Sequence, residues 1–298
     1  MTFSNRSLLL LALVFVCSCS TKKVEEKEIP ISPLSEELNL FKPDDEYSYV
    51  GYVYPFYFEK TDEFYVELYF KKDNISDDEY SSLTKSGDSI LYRDDENCRT
   101  RIPLDIAIQK LDFRGMKTLS LFDKNNSFLT RANFVRVEYL DQNISPVFIA
   151  VYKADQPKLI KKAVYCIGNL KDAIVETNYQ FFEDTLLTKG IEKKMGFTHQ
   201  YNLEGMHYTF DGKGTLSIIN LDTTSAIVLK NTDTYKLIYQ EKMYNEYITD
   251  ALLLPIKRNS HPIILMTLNT PDTDVIWSEL LTFDGEKYQK ENRQRLKH

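Results

Sequence analysis

Imidazole-based acid–base or metal chemistry in this chain would draw on four histidines, His199, His207, His261 and His298. None stands in an H-x-x-x-H pair. His199 and His207 are the nearest two, eight apart with Glu204 between them, and a loop-to-strand path would let them meet at one zinc ion. No thiolate pair or acidic cluster joins them at ligand spacing, so surface or half-buried imidazoles are the plainer reading, and neither a metal nor a cofactor is expected. Acyl transfer needs a nucleophile on a strained turn beside a histidine and a carboxylate. No G-x-S-x-G occurs, and neither does G-x-x-x-x-G-K-[ST] or G-x-G-x-x-G for cradling phosphate. No catalytic residue is expected from motifs.

Carboxylates are plentiful, as at Asp73 to Glu79, Asp94-Asp95-Glu96 and Asp272-Thr273-Asp274. A calcium loop of the EF-hand kind needs Gly at its sixth position and Glu at its twelfth. The stretch from Asp123 places Phe128 and Phe134 there and fails. A glycosidase pair is set by the fold and not by sequence spacing, so hydrolysis by an unidentified carboxylate pair stays open. Tyr47, Tyr49, Tyr52, Tyr54 and Tyr57 crowd one stretch. They read either as an exposed aromatic face for a saccharide or as ordinary β-formers with wet polar tips.

The N-terminus says where these residues work. Arg6 precedes a nine-residue apolar run, Leu8 to Val16, too short for the roughly 20 residues that span a bilayer, so it reads as a signal-peptide core. It ends in Val16-Cys17-Ser18-Cys19, which resembles the lipobox of bacterial lipoproteins. The resemblance covers about twenty residues and implies lipidation and cleavage at Cys19, with residues 1–18 removed and the membrane as a partner through the N-terminal lipid. Ser20 follows where an Asp would imply retention in the inner membrane, so the resemblance favours the outer membrane, on either face. Residues 19–42 are charged, carry two prolines, Pro30 and Pro33, and lack aromatics before Phe41, which makes a flexible tether.

The body carries the chemistry. The net charge of −7 becomes −8 once Arg6 is cleaved off, and nucleic acid is a poor partner for an acidic body. The basic last eight residues read as a solvated, frayed end. Cys98 and Cys166 remain in an exported compartment where a disulfide is possible, although an inert buried thiol suits the apolar run around Cys166 equally well.

Period-two alternation dominates. Tyr47–Phe58 and Phe64–Phe70 flank a turn at Lys60 to Glu63, a hairpin signature. Strand-like runs recur from Ser89–Tyr92 through Lys161–Ile167 to Val275–Thr282. The expected fold is mainly β, with antiparallel sheets in a sandwich- or barrel-like form and one or two helices. Ser76-Asp77-Asp78-Glu79 is a capping box for a short helix stopped at Gly87. A longer helix is expected from Asn169 to Gly196. It would connect β units at 43–168 and 197–298. The pattern F-x-G-x-x-T-L-S at Phe113 returns at Phe210, and Asn143-Ile144-Ser145-Pro146 is echoed by Asn259-Ser260-His261-Pro262. Two related β units would explain this, and so would chance likeness among hairpins.

By elimination the expected role is a non-enzymatic binding or accessory module on the cell envelope, for an envelope protein or a saccharide or lipid ligand. An envelope glycan hydrolase is the alternative.

Overall fold

The computed structural model describes residues 47–56, 62–72, 75–93, 97–142, 147–169, 179–197, 204–210, 214–221, 224–232, 234–242, 247–269, 276–291 and 295–297. They belong to one compact unit, 39–298. Cys19, the signal peptide, the tether and Tyr57 lie outside them. The chain is mainly β, in three antiparallel sheets, none of them a closed barrel among the described residues.

The first sheet holds β1 (Tyr47–Tyr52), β2 (Tyr54–Pro55), β3 (Glu63–Leu68), β4 (Ser89–Arg93), β5 (Asn97–Ile102), β6 (Thr118–Phe122), β7 (Phe128–Gln142), β8 (Val147–Ala154) and β9 (Tyr165–Gly168). Two helices are inserted, α1 (Asp77–Lys85) and α2 (Leu104–Lys110). The second sheet runs β10 (Phe181–Phe182), β11 (Glu204–Phe210), β12 (Gly214–Leu221), β13 (Thr224–Asn231) and β14 (Thr234–Lys242), with helix α3 (Thr185–Met195) between β10 and β11. The third is a meander of β15 (Tyr247–Arg258), β16 (His261–Asn269), β17 (Ile276–Phe283) and β18 (Tyr288–Glu291). The last strand, β19 (Arg295–Lys297), returns to the first sheet and pairs with the outer edge of β1.

The third sheet is the middle layer. Successive side chains of a strand point to opposite faces. Leu254, Ile256, Ile263, Leu265 and Leu280 accordingly pack on Val50, Phe122, Tyr165 and Ile167 of the first sheet. Their neighbours Ala251, Leu253, Ile264, Met266 and Leu281 pack on Leu216, Ile218, Ile227 and Ile238 of the second. Burial on both faces is why β15 and β16 read as unbroken apolar runs and not as alternation. Helix α3 covers the far face of the second sheet, setting Ile191 against Ile219 and Val228.

Several expectations change. The hairpin exists only between β2 and β3, where Tyr54 stands opposite Tyr65, because β1 peels away at Val53 to pair with β9. The long helix does not start at Asn169. That residue follows directly after β9 with a positive φ of 51°, and its carbonyl accepts a hydrogen bond from the Ser48 hydroxyl. Phe181 and Phe182 are strand, and α3 begins after Asp184, whose carboxylate accepts from the Leu186 and Leu187 amides. Aromatic residues favour the pleated surface, and Asp is a strong cap. Gly196 does end the helix, in the left-handed region at φ 69°.

Lys161 and Lys162 belong to a 3-10 turn over Pro157–Lys162, not to a strand. The capping box at Ser76 and Glu79 is formed. The end expected to fray is instead partly strand, at Arg295–Lys297. The two F-x-G-x-x-T-L-S segments occupy different settings, a helix-to-strand passage before β6 and the β11–β12 hairpin, and the two halves do not share a topology.

Cys98 and Cys166 are free thiols. Cys98 lies opposite Asp141 of β7, whereas Cys166 lies opposite Leu121, itself opposite Thr130 of β7. Thr130 and Asp141 are eleven residues apart on one strand, on the order of 35 Å at strand rise, far beyond bonding reach.

Candidate functional site

The aromatic stretch does not form an exposed face among the described residues. Tyr49 is fully buried, and its ring lies over Gly51, where a Cβ would meet the Tyr49 hydroxyl at 2.1 Å. Tyr52 packs into the core between the first and third sheets, and Tyr54 stacks on Tyr65 at 5.3 Å. Burial pushes the hydroxyl pKa values of Tyr52 and Tyr54 above the ordinary phenol range. The backbone of Tyr47 lies in β1. β-Forming, and not display, accounts for Tyr49, Tyr52 and Tyr54.

Two carboxylates with raised pKa do share a sheet face. Glu67 of β3 and Glu138 of β7 both stand opposite Ile149 of β8, about 10 Å apart across two strand spacings. Burial raises both. Glu138, however, is fully buried. Arg136 Nε donates to its Oε1 at 2.6 Å, Arg99 Nε lies 3.5 Å from its Oε2, and Arg136 also grips Glu63 at 2.7 and 2.8 Å. Arg99 in turn lies over the Phe56 ring at 4.1 Å. No glycan reaches such a carboxylate, so the cluster ties β3, β5 and β7 together and does not make an acid–base pair.

A cleft of about 590 Å³ opens where β10 gives way to α3, lined by Phe181, Glu183, Asp184, Thr185 and Thr188 on that side, by Gly205, Met206 and Asn220 of β11 and β12, and by Ile248 and Thr249 of β15. That volume lies in the usual range for ligand sites. Asn220 in its wall is held firmly. Asn220 donates to the Ile248 carbonyl at 2.7 Å and accepts from Ser225 at 3.0 Å.

Beneath the cleft lies His207, fully buried and stacked on Phe182. The Thr188 hydroxyl donates its single proton to the Asp184 carbonyl. His207 Nε2, 2.8 Å from Thr188 Oγ1, must therefore carry the ring proton and donate. Nδ1 is then the acceptor of the Ser217 hydroxyl at 2.8 Å. Burial holds the imidazole pKa below its ordinary value, against an opposing pull from Asp184. Both ring nitrogens and both hydroxyls are thus satisfied in one directional chain from Ser217 to Asp184. The chain pins α3 to the second sheet, and since the imidazole and the Ser217 hydroxyl that it accepts from are both fully buried, no bound ligand touches them. His199 lies outside the described residues, and no group of three or more metal-ligating side chains occurs among them.

Sequence reasoning singled out His207 but not the cleft, whose walls come from five elements spread over some seventy positions. The double aromatic Phe181-Phe182 before Glu183-Asp184 was the available signal. Comparison with family models, with curated proteins and with solved structures finds no match to the chain.

Proposed function

We propose that the protein is a lipid-anchored cell-envelope module that binds a ligand in the cleft at the start of α3 without transforming it. One observation carries this reading: the cleft presents fixed polar groups and an exposed ring, Phe181, while His207 beside it is buried and fully hydrogen-bonded. The anchor rests on the lipobox resemblance at Cys19, and the outer membrane on Ser20 after it. A tether of about two dozen residues at roughly 3.4 Å each would let the body reach some 75 Å from the bilayer.

The test is a thermal-shift screen of the full chain in detergent against envelope saccharides, amphiphiles and peptides. A concentration-dependent rise in melting temperature that Glu183→Lys reduces supports the cleft. A rise indifferent to that variant, or none, counts against it. Cys19→Ala is expected to move the protein from the membrane to the soluble fraction, and retention in the membrane would overturn the anchor.

A further inference from the structure

We propose that the cleft takes an extended, cationic peptide segment, which adds as a strand to the free edge of β11 at Gly205; this rests on the reading of the cleft as the ligand seat. The ladder shows where the edge opens. The Thr209 amide donates to the Gln180 carbonyl at 3.0 Å, the Gln180 amide donates to Thr209 Oγ1 at 3.1 Å, and Phe181 and Phe182 stand opposite Tyr208 and His207. Hydrogen-bonded pairs alternate along an antiparallel ladder. After Gln180 with Thr209 comes Phe182 with His207, and the next place falls opposite Gly205. By then the chain has left the sheet, since β10 ends at Phe182 and Asp184 caps α3. The amide and carbonyl of Gly205 therefore face the cleft with no β10 residue across from them.

Gly205 takes no side chain because α3 lies close over its face of the sheet, where a Cβ would meet Thr188 Oγ1 at 2.7 Å. Among the described residues this donor and acceptor have no partner, and a strand edge in that state is what an extended chain completes. Charge selects the kind of chain. Among the described residues the charged lining groups are Glu183 and Asp184. A helix start ordinarily draws an anion, but here the Asp184 carboxylate already occupies it, accepting from Leu186 and Leu187 at 2.9 and 3.0 Å. Glu183 makes no hydrogen bond or ion pair among the described residues, so it is available to a lysine or arginine. Phe181, 53% exposed, offers its ring to the same side chain.

The test follows one amide. Gly205 is the one glycine in the chain preceded by Glu, so ¹³C-carbonyl Glu with ¹⁵N-Gly labelling isolates its signal in the full chain in micelles. Three probes are titrated: acetyl-Val-Lys-Val-Lys-Val-amide, its Val-Glu counterpart and a neutral N-acetylglucosamine tetramer. The lysine peptide is expected to shift the Gly205 signal and slow its hydrogen exchange, to bind at least tenfold more tightly than the glutamate peptide, and to lose at least tenfold in affinity to Glu183→Lys. Equal affinity for both peptides, or binding with Gly205 unmoved, would overturn the proposal. Binding of the saccharide alone overturns the peptide and leaves the cleft standing, whereas silence from all three probes overturns both.

Discussion

At the scale of single residues, the Arg136–Glu138–Glu63 cluster and the His207 chain hold buried polar groups together, and their removal should be costly. Arg136 serves two carboxylates, one of them fully buried. Breaking a buried pair from one side leaves an uncompensated charge, so Arg136→Ala is expected to lower the unfolding free energy by about 3–5 kcal/mol in urea titration. A loss below about 1 kcal/mol, the scale of an exposed pair, would show the cluster to be wet. His207 gives a pH signature. Its folded pKa lies below the unfolded one because burial disfavours the imidazolium. The neutral ring's contribution is therefore whole above the unfolded value near 6.5 and is lost as pH falls through the folded value. Wild type should lose more stability between about pH 7 and pH 5 than His207→Gln does, measured by paired denaturation curves; parallel curves would contradict this. The Ser76–Glu79 box was legible because both partners lie three positions apart. The His207 chain was not, since Thr188 and Ser217 reach it from a helix and a neighbouring strand, 19 and 10 positions away.

At the scale of elements, ends decided what composition misread. Gly196 marked the stop of α3 through its left-handed backbone, but the start expected at Asn169 lies instead after Asp184, because Phe181 and Phe182 are taken by the β11 edge. Helix α2 escaped notice for a different reason. Its seven residues bury one, Ala107, so no helical period is expressed. The basic tail looked solvated by composition, yet Arg295–Lys297 pairs with Tyr47–Tyr49 and so covers the edge of a strand whose Ser48, Tyr49 and Val50 are fully buried. An uncovered edge invites pairing with another chain. Deleting residues 292–298 is accordingly expected to cause self-association in light scattering, and a monodisperse monomer of unchanged melting temperature would show that β19 guards nothing.

At the scale of the molecule, the third sheet couples everything else, because one of its faces builds the core with the first sheet and the other the core with the second. The β class was legible from alternation, and the unbroken apolar runs from Leu252 to Ile256 and Ile263 to Met266 carried the sign of double burial. The stacking order was not legible, since nothing local says which sheet a strand's outward face will meet. Leu265→Ala, in the middle layer, should cost about 2–5 kcal/mol and lower the melting of both flanking sheets together. Separate transitions would mean that the layers unfold independently. The central claim, a binding cleft on an anchored body, is tested most directly by photo-crosslinking in the intact envelope from a reactive residue at Thr185, on the cleft rim, against one at Lys117, exposed on the passage before β6. An adduct from position 185 that is absent from 117 and lost with Glu183→Lys is expected, and equal labelling from both positions, or none from 185, would contradict the claim.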